Sequence, residues 1–343
     1  MTTTRAEADQ VKGILEKVAE AQSDVWPSKF EVVDEDGVFK LLHYAPLTEQ
    51  KYRTPILIVY AWINRPYVLD METDISVVRK YLNAGFDVYM TDWGYPGRVD
   101  RHLTLDDYVN FLDSSIETTK MRNNVDNVTL HGYCLGGTLS SVYTTLFQDN
   151  VRNLLLQATP IDFNTNNTIN LWSRKLDVDK LVDAFGVAPG QFLNIGFIMV
   201  NPINLIAGKY KGLLDMIGSK EETSSFLRMD RFIFDSPNIP GETYRQYITE
   251  WYKKNTLIKG EFKALGQTID LGKIEVPLLV LAATYDHIAP PESQKAIMNL
   301  VSSQDKEVYE MNKGHIGITT SRSSHKTFWP KVIEWIKVRS EAI

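Results

Sequence analysis

The chain has 343 residues, 43% hydrophobic and 11% aromatic, which is enough for one large core with room for a sizeable insertion. Its 37 Lys and Arg against 43 Asp and Glu leave a net charge of -6, with no basic run suited to a phosphate backbone, so nucleic acid is not an expected partner. Cys134 is the only cysteine, which excludes an intramolecular disulfide and a cysteine-based zinc cluster and fits a reducing cytosol; no metal and no cofactor is expected.

The N-terminus, from Met1 to Asp24, mixes acids and bases without an apolar signal core, so secretion is not indicated. Within it, Val11, Ile14, Leu15, Val18 and Ala19 fall on one face of an amphipathic helix over Ala6 to Ala21, and residues 1–25 are read as a separate N-terminal segment. Such a face packs on its own domain or docks a partner. Phe30 to Val33 and Val38 to Tyr44 then read as a hairpin turned at Asp36-Gly37.

From Thr54 onward, short continuous apolar runs alternate with longer amphipathic segments, the pattern of a buried, mostly parallel sheet with crossover helices. The strands expected are Pro55 to Ala61, Asp87 to Thr91, Asn127 to Tyr133, Val151 to Gln157, Pro277 to Ala283 and Glu307 to Met311. Helices are expected near Asp74 to Leu82, Leu105 to Lys120, Gly136 to Phe147, Pro291 to Val301 and His325 to Val338. No apolar run approaches the roughly 18 residues that span a bilayer. The alternation lapses over residues 162–273, read as an inserted cap between two core segments, 26–161 and 274–343. Phe226, Phe232, Phe234, Tyr244, Tyr247, Trp251 and Tyr252 cluster there, as cap core or as the lining of an apolar substrate channel.

The strand ending at Tyr133 runs into Gly132-Tyr133-Cys134-Leu135-Gly136-Gly137 and then a helical pattern, a nucleophile elbow with cysteine at its apex. A nucleophile on so sharp a turn is crowded, and the positions two before and two after it must lack side chains, as Gly132 and Gly136 do. The turn also sets the sulfur over a helix N-terminus, where partial positive charge favours the thiolate. In this architecture an acid and then a histidine follow on loops after late strands, and Asp286 and His315 occupy those places. His287, beside Asp286, is the rival base; His131, on the elbow strand, reads as a packed histidine, while His43 and His102 read as solvated and His325 as opening the last helix. The backbone N–H of Leu135 and that of Ile63, or a neighbour one residue away, are the expected oxyanion donors. Asn64 and Arg65 follow Ile63 near the mouth of the site, and Asn64 and His287 are candidate substrate contacts.

The elbow, the run Trp62-Ile63-Asn64-Arg65-Pro66-Tyr67, Thr91-Asp92-Trp93-Gly94-Tyr95-Pro96, Leu105-Asp106-Asp107-Tyr108 and Thr159-Pro160-Ile161-Asp162-Phe163 resemble stretches of one family. Phe234-Asp235-Ser236-Pro237, Gly241-Glu242-Thr243-Tyr244-Arg245-Gln246, Asp286-His287 and Gly314-His315-Ile316-Gly317 extend the likeness. From about Phe30 onward the chain is similar to the short catalytic subunits of polyhydroxyalkanoate synthases, class III. The resemblance implies an α/β-hydrolase core with an inserted cap and an acyl group carried on Cys134. It also implies His315 as the base and Asp286 as the carboxylate that activates an incoming 3-hydroxyl.

The expected reaction is polymerisation of 3-hydroxyacyl-CoA, such as 3-hydroxybutyryl-CoA, onto a growing polyester chain with release of CoA. A non-catalytic partner subunit of the PhaE type and a cytoplasmic place at the polyester granule surface come with the resemblance, and a homodimer is compatible with it. A cysteine thioesterase on the same fold, another CoA acyltransferase, and a non-catalytic scaffold are the competing readings.

Overall fold

The computed structural model describes residues 25–200 and 220–343, so the helix expected over Ala6 to Ala21 lies outside the described residues. Strands β1 (Phe30–Asp36) and β2 (Phe39–Tyr44) form the opening hairpin, and Asp36 still pairs with Phe39. The turn is therefore Gly37-Val38 rather than Asp36-Gly37, because glycine takes the first central position at φ 58° while Asp36 stays in the strand. Four parallel strands follow, β3 (Ile56–Val59), β4 (Val88–Asp92), β5 (Val128–Tyr133) and β6 (Val151–Gln157). Helices α1 (Val77–Ala84), α2 (Leu105–Asn123) and α3 (Leu135–Leu146) lie between them. The helix expected near Asp74 to Leu82 begins later, since Ser76 accepts the Arg79 N–H at 2.9 Å and caps α1 after a separate turn at Thr73–Ile75.

Between β6 and the next strand of this sheet the described residues form α4 (Thr168–Lys175), α5 (Val178–Phe185), α6 (Gly190–Val200), α7 (Lys220–Phe234) and α8 (Gly241–Tyr247). A π-helical turn, Ile248–Lys253, continues α8. The sheet resumes with β7 (Leu278–Ala283), α9 (Pro291–Lys295) and β8 (Lys306–Met311), and the chain closes with α10 (Gly317–Thr320) and α11 (Trp329–Lys337). His325 sits in a π-turn over Ser324–Phe328 instead of opening the last α-helix, which starts at Trp329 with Pro330 in its first turn.

The eight strands are ordered β1-β2-β4-β3-β5-β6-β7-β8, antiparallel through the first two pairings and parallel beyond. Ile56, Leu57, Ile58 and Val59 of β3 have no exposed surface, and each contributes about 1.5–3 kcal/mol of apolar burial. This central position puts the carboxyl ends of β3, β5, β7 and β8 on one edge, where loops of an open parallel sheet converge. Hydrogen bonds tie the helical insertion to the core, among them Gln246 Oε1 accepting the Leu105 N–H at 2.7 Å, Asp106 Oδ1 accepting the Leu265 N–H at 2.9 Å, and Asp235 accepting the hydroxyls of Tyr67 and Tyr95 at 3.1 and 2.8 Å.

Candidate active site

Cys134 sits between β5 and α3 with φ 54° and ψ -128°, a strained conformation for a residue with a side chain. Its neighbours explain the glycines. A Cβ on Gly132 would lie 2.3 Å from Gly137 Cα, and one on Gly136 would lie 2.1 Å from the Val59 carbonyl oxygen. Gly137 is equally constrained, with Thr159 Oγ1 1.9 Å from an added Cβ. Cys134 donates its backbone N–H to Gln157 O at 2.9 Å, which pins the turn to β6. The N–H groups of Leu135 and Gly136 open α3 and have no intrahelical acceptor.

Asp286 leaves β7 on a tight loop, and its carboxylate is wholly engaged. Oδ1 accepts the Ile288 and Ala289 N–H groups at 2.8 and 2.9 Å, while Oδ2 accepts Gln294 Nε2 at 3.1 Å and lies 2.7 Å from His315 Nδ1. The Asp286 side chain has no exposed surface. His315 follows β8, and its ring stands 5.4 Å from that of Tyr133. Burial works against a charged imidazole, but the Asp286 carboxylate, with Tyr133 and Cys134, holds His315 well above its ordinary value. Cys134, His315, Leu135 and Ile63 all line one cavity of about 430 Å³ beneath the insertion, together with tyrosines from the core and the insertion.

His287 is exposed; the residue lines the cavity, and its backbone carbonyl accepts from Asn167 Nδ2 at 3.3 Å. The Asp286 side chain pairs with His315 and not with it. Asn64 lines the cavity, but its amide is turned to the insertion: Nδ2 donates to Phe232 O at 3.1 Å, Ile233 O at 3.3 Å and Ser236 Oγ at 2.7 Å. Its donors thus hold the end of α7. Arg65 is buried against Asp92 at 2.7 Å rather than standing at the mouth.

The other histidines are structural. His131 is buried between Tyr81 Oη at 3.1 Å and Gln157 Oε1 at 3.0 Å, and burial pushes it down to about 4. His43 is half-buried, pairing with Asp87 at 2.7 Å and stacking on Tyr89, because the β2–β4 pairing brings the three together. His102 is exposed, with Nδ1 3.1 Å from Val99 O. Gln294, fully buried and bonded to Asp286, has no mark in the sequence, where a glutamine in a short helix reads as surface. Among the described residues no group of three His, Cys, Asp or Glu side chains could hold a metal, and no helix is long and apolar enough to cross a membrane.

Comparison with known proteins agrees with this architecture. A model described as the alpha/beta hydrolase fold matches residues 54–194, and one for the poly-beta-hydroxybutyrate polymerase (PhaC) N-terminus matches residues 16–82. Among solved structures, a structure from work on the metagenome-derived lipolytic enzymes LipS and LipT superposes with a TM-score of 0.55 at 14% identity, covering 87% of this chain and 97% of that one. The monoacylglycerol lipase of Paleococcus ferrophilus gives 0.51 at 18%, covering 86% and 100%; both likenesses are of fold. The poly(3-hydroxyalkanoate) polymerase subunit PhaC of Haloferax mediterranei is 41% identical over 94% of this chain and 67% of its own. Those of Allochromatium vinosum and Thiocystis violacea are 40% and 38% identical, covering 83% and 90% of this chain and 81% and 88% of theirs. A nucleophile elbow in an α/β-hydrolase core, with relatives matched along most of their length, places this chain in the poly(3-hydroxyalkanoate) polymerase family of acyltransferases, among the PhaC subunits.

Proposed function

We propose that this chain polymerises 3-hydroxyacyl groups from coenzyme A thioesters, carrying the acyl group on Cys134 and releasing CoA. The observation that carries the reading is the presence of the Cys134 elbow and of His315, held from behind by Asp286, on the wall of one apolar cavity. The Cys134 sulfur attacks the thioester carbon, the bond to CoA sulfur breaks, and the proton held by His315 leaves with CoA. One thioester replaces another, so the step costs little. The N–H groups of Leu135 and Ile63 receive the oxyanion.

In the second transfer a 3-hydroxyl oxygen attacks the thioester on Cys134. A C–O bond forms, the C–S bond breaks, and His315 takes the hydroxyl proton and returns it to sulfur. Asp286 acts as a positioning residue: both its oxygens are engaged and its side chain is sealed, so the geometry favours orienting His315 over reaching an incoming hydroxyl. Since Cys134 is the only cysteine, both transfers within one chain pass through the same sulfur. The helical insertion over residues 162–273 serves as a cap that keeps water from the acyl-enzyme, and a non-catalytic partner subunit favours its open form.

The test is incubation with 3-hydroxybutyryl-CoA, with and without a candidate partner subunit. Polymerase activity releases CoA with insoluble polyester. Free acid in place of polymer would make the chain a thioesterase, and release of neither product would make it a scaffold.

A further inference from the structure

The cavity around Cys134 is walled by aliphatic groups such as Ile63, Leu135 and Ile248, and by several tyrosines. In such a chamber a small number of polar groups fix the orientation of a ligand. Tyr133 Oη is already used, donating to His315 O at 3.4 Å. Tyr60 is stacked on Tyr133 with ring centroids 5.4 Å apart and is only 1% exposed. Tyr252 differs from Tyr133 in leaving its hydroxyl unbonded, and from Tyr60, whose hydroxyl is unbonded too, in coming from the insertion. It is carried by the π-helical turn that follows α8, a local widening of the helix that recurs at functional sites. Its ring is fixed edge-on against Phe163, centroids 4.8 Å apart, and lies 6.1 Å from that of Tyr247. Its hydroxyl has no hydrogen-bond partner among the described residues, although the residue is only 9% exposed and faces the cavity.

Burial holds the Tyr252 phenol well above its ordinary value, which keeps it a neutral donor on the wall of the cavity that Cys134 also lines. A donor that opens on the cavity and has no protein acceptor is free to take one from a bound ligand.

We propose that Tyr252 is the specificity-determining residue of this chamber. Its hydroxyl donates a hydrogen bond to the oxygen on C3 of the acyl group carried by Cys134, and the proposal rests on the acyl-cysteine reading above. That oxygen is a free hydroxyl in the monomer and an ester oxygen in the chain, and it accepts a hydrogen bond in both. A single donor therefore recognises the substrate before and after polymerisation. A site built to bond a substrate oxygen discriminates against the analogue that lacks it, because its own polar group is then left unpaired.

The experiment compares the full chain with its Tyr252→Phe variant in single-turnover acylation by 3-hydroxybutyryl-CoA and by butyryl-CoA, followed as CoA release and as the mass of the acyl-protein. The ratio of the two rates is expected to fall about 10- to 100-fold in the variant. Acylation by butyryl-CoA should stay within about twofold, a result that a purely structural role for the phenol would not produce. An unchanged ratio, whether both rates fall together or neither does, overturns the proposal. Absence of any adduct on the unaltered protein with either thioester overturns the acyl-cysteine reading itself, and this one with it.

Discussion

His315 Nδ1 lies 2.7 Å from Asp286 Oδ2, and the same oxygen is held from behind by Gln294 Nε2 at 3.1 Å. The imidazole is thereby fixed with its other nitrogen free, and the carboxylate that fixes it has no unpaired oxygen. Asp286→Asn is therefore expected to slow the first CoA release and the later elongation alike, by on the order of 10³- to 10⁴-fold. Rapid-quench measurement of the two phases decides it; a normal first release with slow elongation would assign Asp286 to the incoming hydroxyl.

The raised His315 value has a sign that stability measurements can read. The native state retains a proton that the unfolded chain gives up near its ordinary value of 6.5, so His315 contributes stability in full below that pH and loses it as pH rises through the higher native value. Urea unfolding from about pH 6 to about pH 9 should show this fall in the unaltered protein. The slope should flatten in His315→Gln. In Asp286→Asn the imidazole titration followed by NMR should move down, because the largest influence favouring its charge is gone.

Cys134→Ala keeps the strained φ of 54° and removes only the sulfur, so it should fold and form no acyl adduct. Intact-protein mass spectrometry after 3-hydroxybutyryl-CoA addition reads this directly, and an adduct persisting on the variant would reject Cys134 as the acyl carrier. Cys134→Gly should be the more stable of the two, since glycine takes that φ without strain, an effect thermal unfolding would reveal.

Two glycine substitutions should move in opposite directions. Gly136→Ala drives a methyl to 2.1 Å from the backbone oxygen of Val59 and should destabilise by about 3 kcal/mol or more. Gly196→Ala, within α6 and with no atom within 4 Å of the added Cβ, should stabilise by about 0.5–1 kcal/mol. Denaturant midpoints measure both.

Asn64 should matter for the seating of α7 more than for the chemistry. Asn64→Ala leaves the carbonyls of Phe232 and Ile233 without their side-chain donor, at a cost of about 1–3 kcal/mol. Hydrogen exchange over residues 232–238 should quicken, while the His315 titration should be unmoved.

Local rules made much of this protein legible. The expected strand Val151 to Gln157 is the observed one, and the other parallel strands differ by a residue or two at their ends, because a buried parallel strand needs a short continuous apolar run. The helix boundaries were harder. Leu105 opens its helix as expected, but the segment from Pro291 divides into five residues of α9 and a tighter turn at Ala296–Asn299, a choice no periodicity marks.

What the sequence determined by itself is the sheet, the elbow and its glycines, since apolar period and steric crowding act over a few residues. Packing alone decided the partners. It paired Asp286 with His315, 29 residues away, and not with the adjacent His287; it turned Asn64 onto carbonyls 168 and 169 residues distant; and it brought Tyr252 of the insertion to the wall of the cavity that Cys134 of the core also lines. A side chain's type states what it can bond, but its direction follows from where the whole chain places its neighbours, and that is a property of the folded molecule.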